Sequence, residues 1–251
     1  METESLYNVI YKRKSIRKYD MTPLDRTTIE KIESFLKEIK PLDKDIKTEI
    51  SIVSRIDVNS LYAIKAPHYL TISSEEKEGY LTNAGFIMEQ ADLYLSANGL
   101  GACWLGMAKP DKGVLGTSKL NFTIMLAFGK PNEKLYRENI AEFKRKSMEE
   151  VANFKEYSSI MEAVRIAPSA INSQPWYFTY NESLINAYCI KPGFLKGIIY
   201  ERMNKVDMGI ALCNLWLALA HEGKKAECIK DDRVQKDTPQ KYYYITSIKI
   251  D

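Results

Sequence analysis

The chain has 251 residues, with 36 Lys plus Arg against 33 Asp plus Glu, a net charge of +3, 45% hydrophobic and 27% charged residues. That balance excludes a disordered or collagen-like chain and leaves ample material for a core, while so small a charge names no acidic partner. Two distant histidines, His68 and His221, and four cysteines (Cys103, Cys189, Cys213, Cys228) without a C-x-x-C pair argue against zinc, thioredoxin-type chemistry and a disulfide framework. No stretch reaches the ~20 apolar residues of a membrane span, and residues 1–12 lack an apolar signal core, so the expectation is a cytoplasmic protein with no membrane contact.

In chain order, Leu6, Val9, Ile10 and Arg13 fall at helical spacing over residues 5–14. Thr27 and Glu30 read as a capping box opening a helix to about residue 38, stopped by Pro41. Strands are expected over 49–53 and 69–73, both β-branched or aromatic. A helix over 82–98 carries Ile87, Ala91, Tyr94 and Leu95 on one stripe and stops at Gly99, a residue suited to a left-handed terminator. Strands are expected over 122–128 and 242–250. A helix over 207–222 is apolar almost all round, which predicts burial on most sides. Strands and helices mix without a βαβ rhythm, so the fold class is α+β.

Spacing hints at duplication. Gly85 and Gly209 are 124 residues apart, as are Gly99 and Gly223, so each late helix reads as a segment bounded by glycines. Residues 67–71 and 175–179 share a Pro-x-Tyr-x-Thr pattern, and Lys-Arg-Lys-Ser at 12–15 recurs at 144–147. In order along the chain, these matches predict two similar halves, about 1–142 and 143–251, within one domain.

Three segments can carry chemistry. Arg13, Ser15 and Arg17 alternate, so in extended chain they share a face suited to a phosphate monoester or the carbonyl edge of a heterocycle; a solvated basic run is the plainer alternative. Residues 167–176 place Ser169, Asn172, Ser173 and Gln174 between two prolines, either a ligand loop or a polar turn. Residues 99–107 combine a helix stop with glycines that allow close approach of a ring, or form a C-cap followed by a buried strand holding Trp104. A Rossmann fingerprint fails at Gly99-Leu100-Gly101, since Trp104 stands where the third glycine belongs and a helix precedes it. P-loop, zincin and nucleophile-elbow motifs are absent.

Taken together the segments resemble the FMN-dependent nitroreductase family. Arg13-Lys14-Ser15-Ile16-Arg17 matches its opening motif, residues 167–176 match its Ala-Pro-Ser-x-x-Asn-x-Gln-Pro-Trp loop at every fixed position, residues 99–106 match Gly-Leu-Gly-x-x-Trp-x-Gly, and residues 145–150 match part of its basic segment. The resemblance implies a nitroreductase-like fold of mostly antiparallel sheets with packed helices. In typical members the Ala-Pro-Ser loop follows soon after the first motif and the flavin lies between two subunits. Here the loop appears only after residue 166, which implies two halves forming an intramolecular pseudo-dimer with one FMN site, monomeric or weakly dimeric.

By the same resemblance, Arg13, Ser15 and Arg145 hold the FMN phosphate, with Lys14 and Lys144 nearby. Arg17 lies at the pyrimidine edge. Pro168, Ser169 and Asn172 contact ring or ribityl chain, Cys103, Trp104, Leu105 and Gly106 line a ring face, and Asn59 bonds the polar edge. Phe143 stands where the family carries lysine, so Lys144 is the candidate substitute. The implied activity is reduction of a small acceptor (nitroaromatic, quinone or enone) by NADH or NADPH in a ping-pong reaction at the flavin, with no catalytic side chain assigned. An FMN-binding protein with little turnover is the alternative. A nucleic-acid binder built on the two Lys-Arg-Lys runs ranks last, against a near-neutral total charge.

Overall fold

The computed structural model describes residues 3–54, 58–59, 64–111, 119–181, 183–193 and 197–251. Within them the order is α1 (Thr3–Ile10), α2 (Arg26–Leu36), β1 (Thr48–Ser54), β2 (Val58–Asn59), β3 (His68–Ser74), α3 (Tyr80–Ala97), β4 (Gly101–Leu105), β5 (Lys109–Pro110), β6 (Asn121–Gly129), α4 (Met148–Val151), α5 (Ser158–Arg165), β7 (Trp176–Asn181), β8 (Leu184–Ile190), α6 (Gly197–His221), β9 (Ala226–Ile229), α7 (Asp232–Lys236) and β10 (Tyr242–Ile250). Two four-stranded sheets run β1-β3-β6-β4 and β7-β8-β10-β9, every pairing antiparallel. Each sheet takes two strands before its long helix and two after it, and in each the second strand after the helix lies inside the first. The expected mixed α+β, mostly antiparallel class is what the chain forms.

Burial explains the strand patterns. The inner strands β3 and β6 are buried almost throughout, because the sheet is covered on both faces, whereas the edge strand β1 alternates. One face packs on the main core with α3 and α6; the other holds a smaller cluster that includes Ile16, Tyr19, Tyr69, Leu105 and Met125.

The two long helices meet face to face at their glycines. A Cβ on Gly85 would stand 2.1 Å from the Val206 carbonyl oxygen, and one on Gly209 would stand 1.9 Å from that of Thr82. Only glycine allows backbones this close. These two glycines are therefore a mid-helix crossing and not helix starts. Both helices begin earlier, α6 at Gly197, twelve residues before Gly209. Gly99 and Gly223 do end them, at φ +76° and +73°. The apolar stripe expected on α3 is also too narrow, since burial runs from Leu81 to Ser96 on every side. That burial encloses Asn83, Glu89, Gln90 and Asp92, polar positions that periodicity assigns to solvent.

The cap of α2 also differs. Asp25, not Thr27, accepts the Thr28 N–H (2.9 Å), and Glu30 pairs with Arg26 instead of closing a box. A carboxylate two residues upstream outcompetes the threonine. Among the described residues no helix is long and apolar enough to cross a membrane.

Candidate functional site

The first motif lies along the free edge of β4. Ser15 bridges Ala102, and Ile16 N–H donates to the Ala102 carbonyl at 2.9 Å. Gly101 makes this possible, because a Cβ there would fall 2.6 Å from the Ile16 side chain. The close approach expected of a ligand ring at this glycine is thus taken by the protein's own Ile16. Gly106, at the far end, meets only the flexible Met203 side chain of α6, at 3.2 Å from an added Cβ.

Arg13 is not part of a solvated run. It is buried, and donates to Asp92 Oδ2 (2.9 Å) and to Ser15 Oγ (3.3 Å). Trp104 Nε1–H donates to the same Asp92 oxygen at 2.9 Å, so two motifs separated by most of a half converge on one carboxylate of α3. Glu89, one turn earlier, is fully buried with both oxygens unbonded. Burial first, and the neighbouring Asp92 charge second, push its carboxyl well above the carboxylate range, so Glu89 keeps its proton; burial raises Asp92 as well, opposed by the Arg13 charge and the bonds from Trp104 and Arg13. Burial alone would lower the Arg13 guanidinium; the Asp92 charge, 2.9 Å away, outweighs it and holds it above its ordinary value.

Arg145 reaches the same locality from the second segment. It donates to the carbonyls of Phe143 (2.6 Å), Ala167 (3.0 Å) and Ile166 (3.3 Å) and to Asn172 Oδ1 (2.6 Å). Burial, then the charges of Arg137, Arg13 and Arg165, push it down to about 10. Arg137 donates to the Arg13 carbonyl and lies over the Phe143 ring, and burial with the Arg13 charge pushes it too down to about 10. Among the described residues neither Arg137 nor Arg145 makes an ion pair. Two partly buried guanidiniums, each depressed by burial and by neighbouring arginines and neither in an ion pair, are a locus of positive charge that an anion would relieve. Sequence reading missed Arg137, and only its place among positively charged residues after β6 could have drawn notice.

The 166–174 loop is fastened at both ends. Its Ala170 N–H donates to both carboxylate oxygens of Asp207 at 3.1 Å, and Ser173 Oγ to one of them at 3.4 Å. Ser169 Oγ accepts Gln174 N–H (3.0 Å), Asn172 Nδ2 donates to the Lys144 carbonyl (3.0 Å), and Lys146 Nζ donates to the Gln174 carbonyl (2.8 Å). Much of the donor set expected to face a ligand therefore holds the loop's own shape. That shape is strained: Ile171, Asn172 and Gln174 all have φ between 48° and 59°, and Ile171 is 72% exposed. A β-branched residue in the left-handed region persists only where its surroundings impose it.

Of the remaining expected residues, Pro168 is buried, Arg17 and Lys144 are exposed, and Lys14 lies 3.9 Å from Glu133. Glu133 also accepts the Arg17 and Lys18 N–H groups (2.7 and 3.0 Å). Cys103 and Leu105 are buried in β4, and burial pushes the Cys103 thiol up. Asn59 has its backbone paired with Lys109, while its side chain lies outside the described residues. Neither histidine approaches the site: His68 Nε2 accepts Leu24 N–H, and His221 pairs with Glu4.

The family model described as "Putative TM nitroreductase" matches residues 5–219. Among solved structures, one described as a "putative nitroreductase" from Thermotoga maritima is 22% identical, with a TM-score of 0.65 and 92% of each chain covered. A nitroreductase family protein from Clostridium difficile is 14% identical over 60% of this chain and 95% of its own, with a TM-score of 0.46. An FMN-dependent nitroreductase from Clostridium difficile is 17% identical over 55% of this chain and 96% of its own, with a TM-score of 0.42. A search of curated proteins found no match.

Proposed function

Because the chain belongs to this nitroreductase family, an oxidoreductase family, by a match over residues 5–219, we propose that it is an FMN-dependent reductase that takes electrons from NADH or NADPH and passes them to a small acceptor. The observation that carries the reading is the meeting of Arg13 and Ser15, the β4 end, and Arg145 with its loop around guanidiniums that lack a carboxylate partner.

The residues present fit FMN. A phosphate is close to doubly negative at neutral pH and needs charge-assisted donors. Arg137 and Arg145 supply uncompensated charge, and Ser15, Lys14 and Lys144 stand on the two segments that flank them. Arg13 has a different task in this reading. Neutralised by Asp92, it positions the first motif and Trp104, and contributes donors more than net charge. Arg17 is exposed and free to reach the ring's pyrimidine edge. Leu105 and Gly106 form one wall, and Pro168, Ser169 and Asn172 the wall opposite. FMN, when bound, supplies hydride acceptance and donation. The chain binds it, orients it and limits water, and no side chain is needed as acid or base.

The same reading makes the chain a fused pseudo-dimer, with halves of about 1–142 and 143–251 contributing opposite walls of one flavin site. The equal strand orders of the two sheets and the crossing at Gly85 and Gly209 support it. It implies that no second subunit is required to complete the site; a cytoplasmic location is a separate part of the proposal. A flavin binder of slow turnover is favoured by one neighbour, the Met203 side chain, which lies beside Gly106.

Purified protein should be yellow and release about one FMN per chain on heating. Oxidation of NADH or NADPH with quinone, enone and nitroaromatic acceptors then separates reductase from binder. A colourless protein that does not take up added FMN refutes the flavin reading, and two FMN per chain refutes the single fused site.

A further inference from the structure

The strand of the first motif is held along both edges. On one edge lies β4, through Ser15 and Ile16 at Ala102. On the other the strand pairs antiparallel with residues 131–137, by bridges at Arg13–Tyr136 and Tyr19–Pro131. Backbone bonds close the ends of that pairing: Arg137 N–H donates to the Lys12 carbonyl, Asn132 N–H to that of Lys18, and Asp20 N–H to that of Lys130. The middle is closed differently. There the N–H groups of Arg17 and Lys18 both donate to one side-chain oxygen, Glu133 Oε1, at 2.7 and 3.0 Å.

Successive N–H groups of a regular strand face opposite edges, so two on one oxygen turn the backbone out of the ladder at Arg17. Glu133 thereby fixes the point from which the Arg17 side chain departs, while that side chain stays exposed. The Arg17 charge reaches the β4 wall: burial raises the Cys103 thiol, and Arg17 is the largest effect opposing that rise. Burial would raise the Glu133 carboxyl too, but the bonds from Arg17 and Lys18 N–H, then the charges of Lys14 and Lys18, hold it below its ordinary value. It is therefore ionised throughout the neutral range. At 29% exposed, with Lys14 Nζ at 3.9 Å, its own charge is largely screened. What it contributes is geometry.

We propose that Glu133 is a positioning residue for the flavin, holding Arg17 where its guanidinium meets the pyrimidine edge and favours the negative charge that the ring gains on reduction. The proposal rests on the FMN reading above for the ligand, and on the two bonds for the residue. Glu133 stands 116 residues from Arg17 in the chain, outside every motif.

The test is the midpoint potential of the FMN-loaded protein, read by dye-equilibrated reduction with FMN content measured alongside. Two variants separate position from charge. Glu133→Gln loses the charge but keeps an oxygen for both N–H groups, just as the Asn83 amide oxygen, two residues before Gly85, takes those of Leu42 (2.9 Å) and Asp43 (3.0 Å). Glu133→Asp keeps the charge but withdraws it by one methylene. Glu133→Asp should lower the reduced-to-oxidised ratio at a fixed potential about tenfold, a fall of ~30 mV for a two-electron couple, while Glu133→Gln stays within about twofold of the parent. Arg17→Ala should match Glu133→Asp, and combining the two should add nothing, because the carboxylate acts through Arg17. Hydrogen exchange on the parent, which needs no variant to fold, should find the Arg17 and Lys18 amides protected. Unprotected amides, a potential that ignores Glu133→Asp, a shift with Glu133→Gln alone, or an undiminished effect of Glu133→Asp in the Arg17→Ala protein would each overturn the proposal and leave the flavin reading standing. A protein that holds no FMN would refute that reading, and this proposal with it.

Discussion

Asp207→Asn should flatten the dependence of stability on pH. Asp207 is 3% exposed, and burial pushes its carboxyl from 3.8 up to about 7, against the opposing bonds from Ala170 and Ser173. Its folded pKa is raised, so between those values the unfolded chain has released a proton that the folded chain still holds. Stability from this group is therefore full below pH 3.8, declines as pH rises, and is lost above pH 7. That gap, about 3 in pH, corresponds to at most about 4 kcal/mol at ~1.4 kcal/mol per tenfold change in proton affinity. Asparagine preserves the acceptor, and Asn83 shows that an amide oxygen can take two donors at the matching place on α3. Urea unfolding of both proteins at about pH 4, 6 and 8 is the assay. The variant should match the parent near pH 4 to within ~1 kcal/mol and lead it by up to about 4 kcal/mol at pH 8. Parallel profiles would refute a buried titrating Asp207; a variant weaker at every pH would mean that the loop needs the carboxylate itself.

Glu89→Gln follows the same sign. Its carboxyl is raised by burial and Asp92, so the variant should gain on the parent as pH climbs above 4.5, read by thermal melts across pH. Arg137→Ala should weaken FMN by about 1.5–3 kcal/mol, roughly 10- to 100-fold, yet leave riboflavin binding nearly unchanged, because only FMN carries the phosphate; calorimetry with both ligands decides it. Gly209→Ala should destabilise by ~3 kcal/mol or more in urea unfolding, because its Cβ would sit 1.9 Å from the Thr82 carbonyl oxygen, backbone that cannot swing aside. A fully stable Gly209→Ala protein would mean that α3 and α6 do not cross there.

Much of the fold is legible where a residue type imposes its own geometry. Gly99 and Gly223 end helices because each takes a positive φ that other residues resist. The all-round apolar run of α6 announces burial, and β-branched or aromatic runs announce β3, β6 and β10. Strands β8 and β9 escape such a reading, since Ala187, Cys189 and Glu227 carry weak strand preference and their pairing with β10 is what makes them strands. The capping box at Thr27 fails for a related reason: a local pattern says nothing of a better acceptor nearby.

At the candidate site the division is sharper. The sequence alone determined the motifs, because the glycines, prolines and alternating basic residues of residues 13–17, 99–106 and 167–176 encode local backbone form. Only the tertiary structure decided what those motifs meet. Arg13 and Trp104 share Asp92, the loop hangs from Asp207, Arg137 joins Arg145, and Glu89 is sealed between helices. Asp92 stands 79 residues from Arg13, and Asp207 stands 37 from Ala170. A helical period marks such polar positions as solvent-facing. Packing of α3 between the first sheet, α1 and α6 removes the solvent, and in that low dielectric each buried charge needs its own partner or keeps its proton.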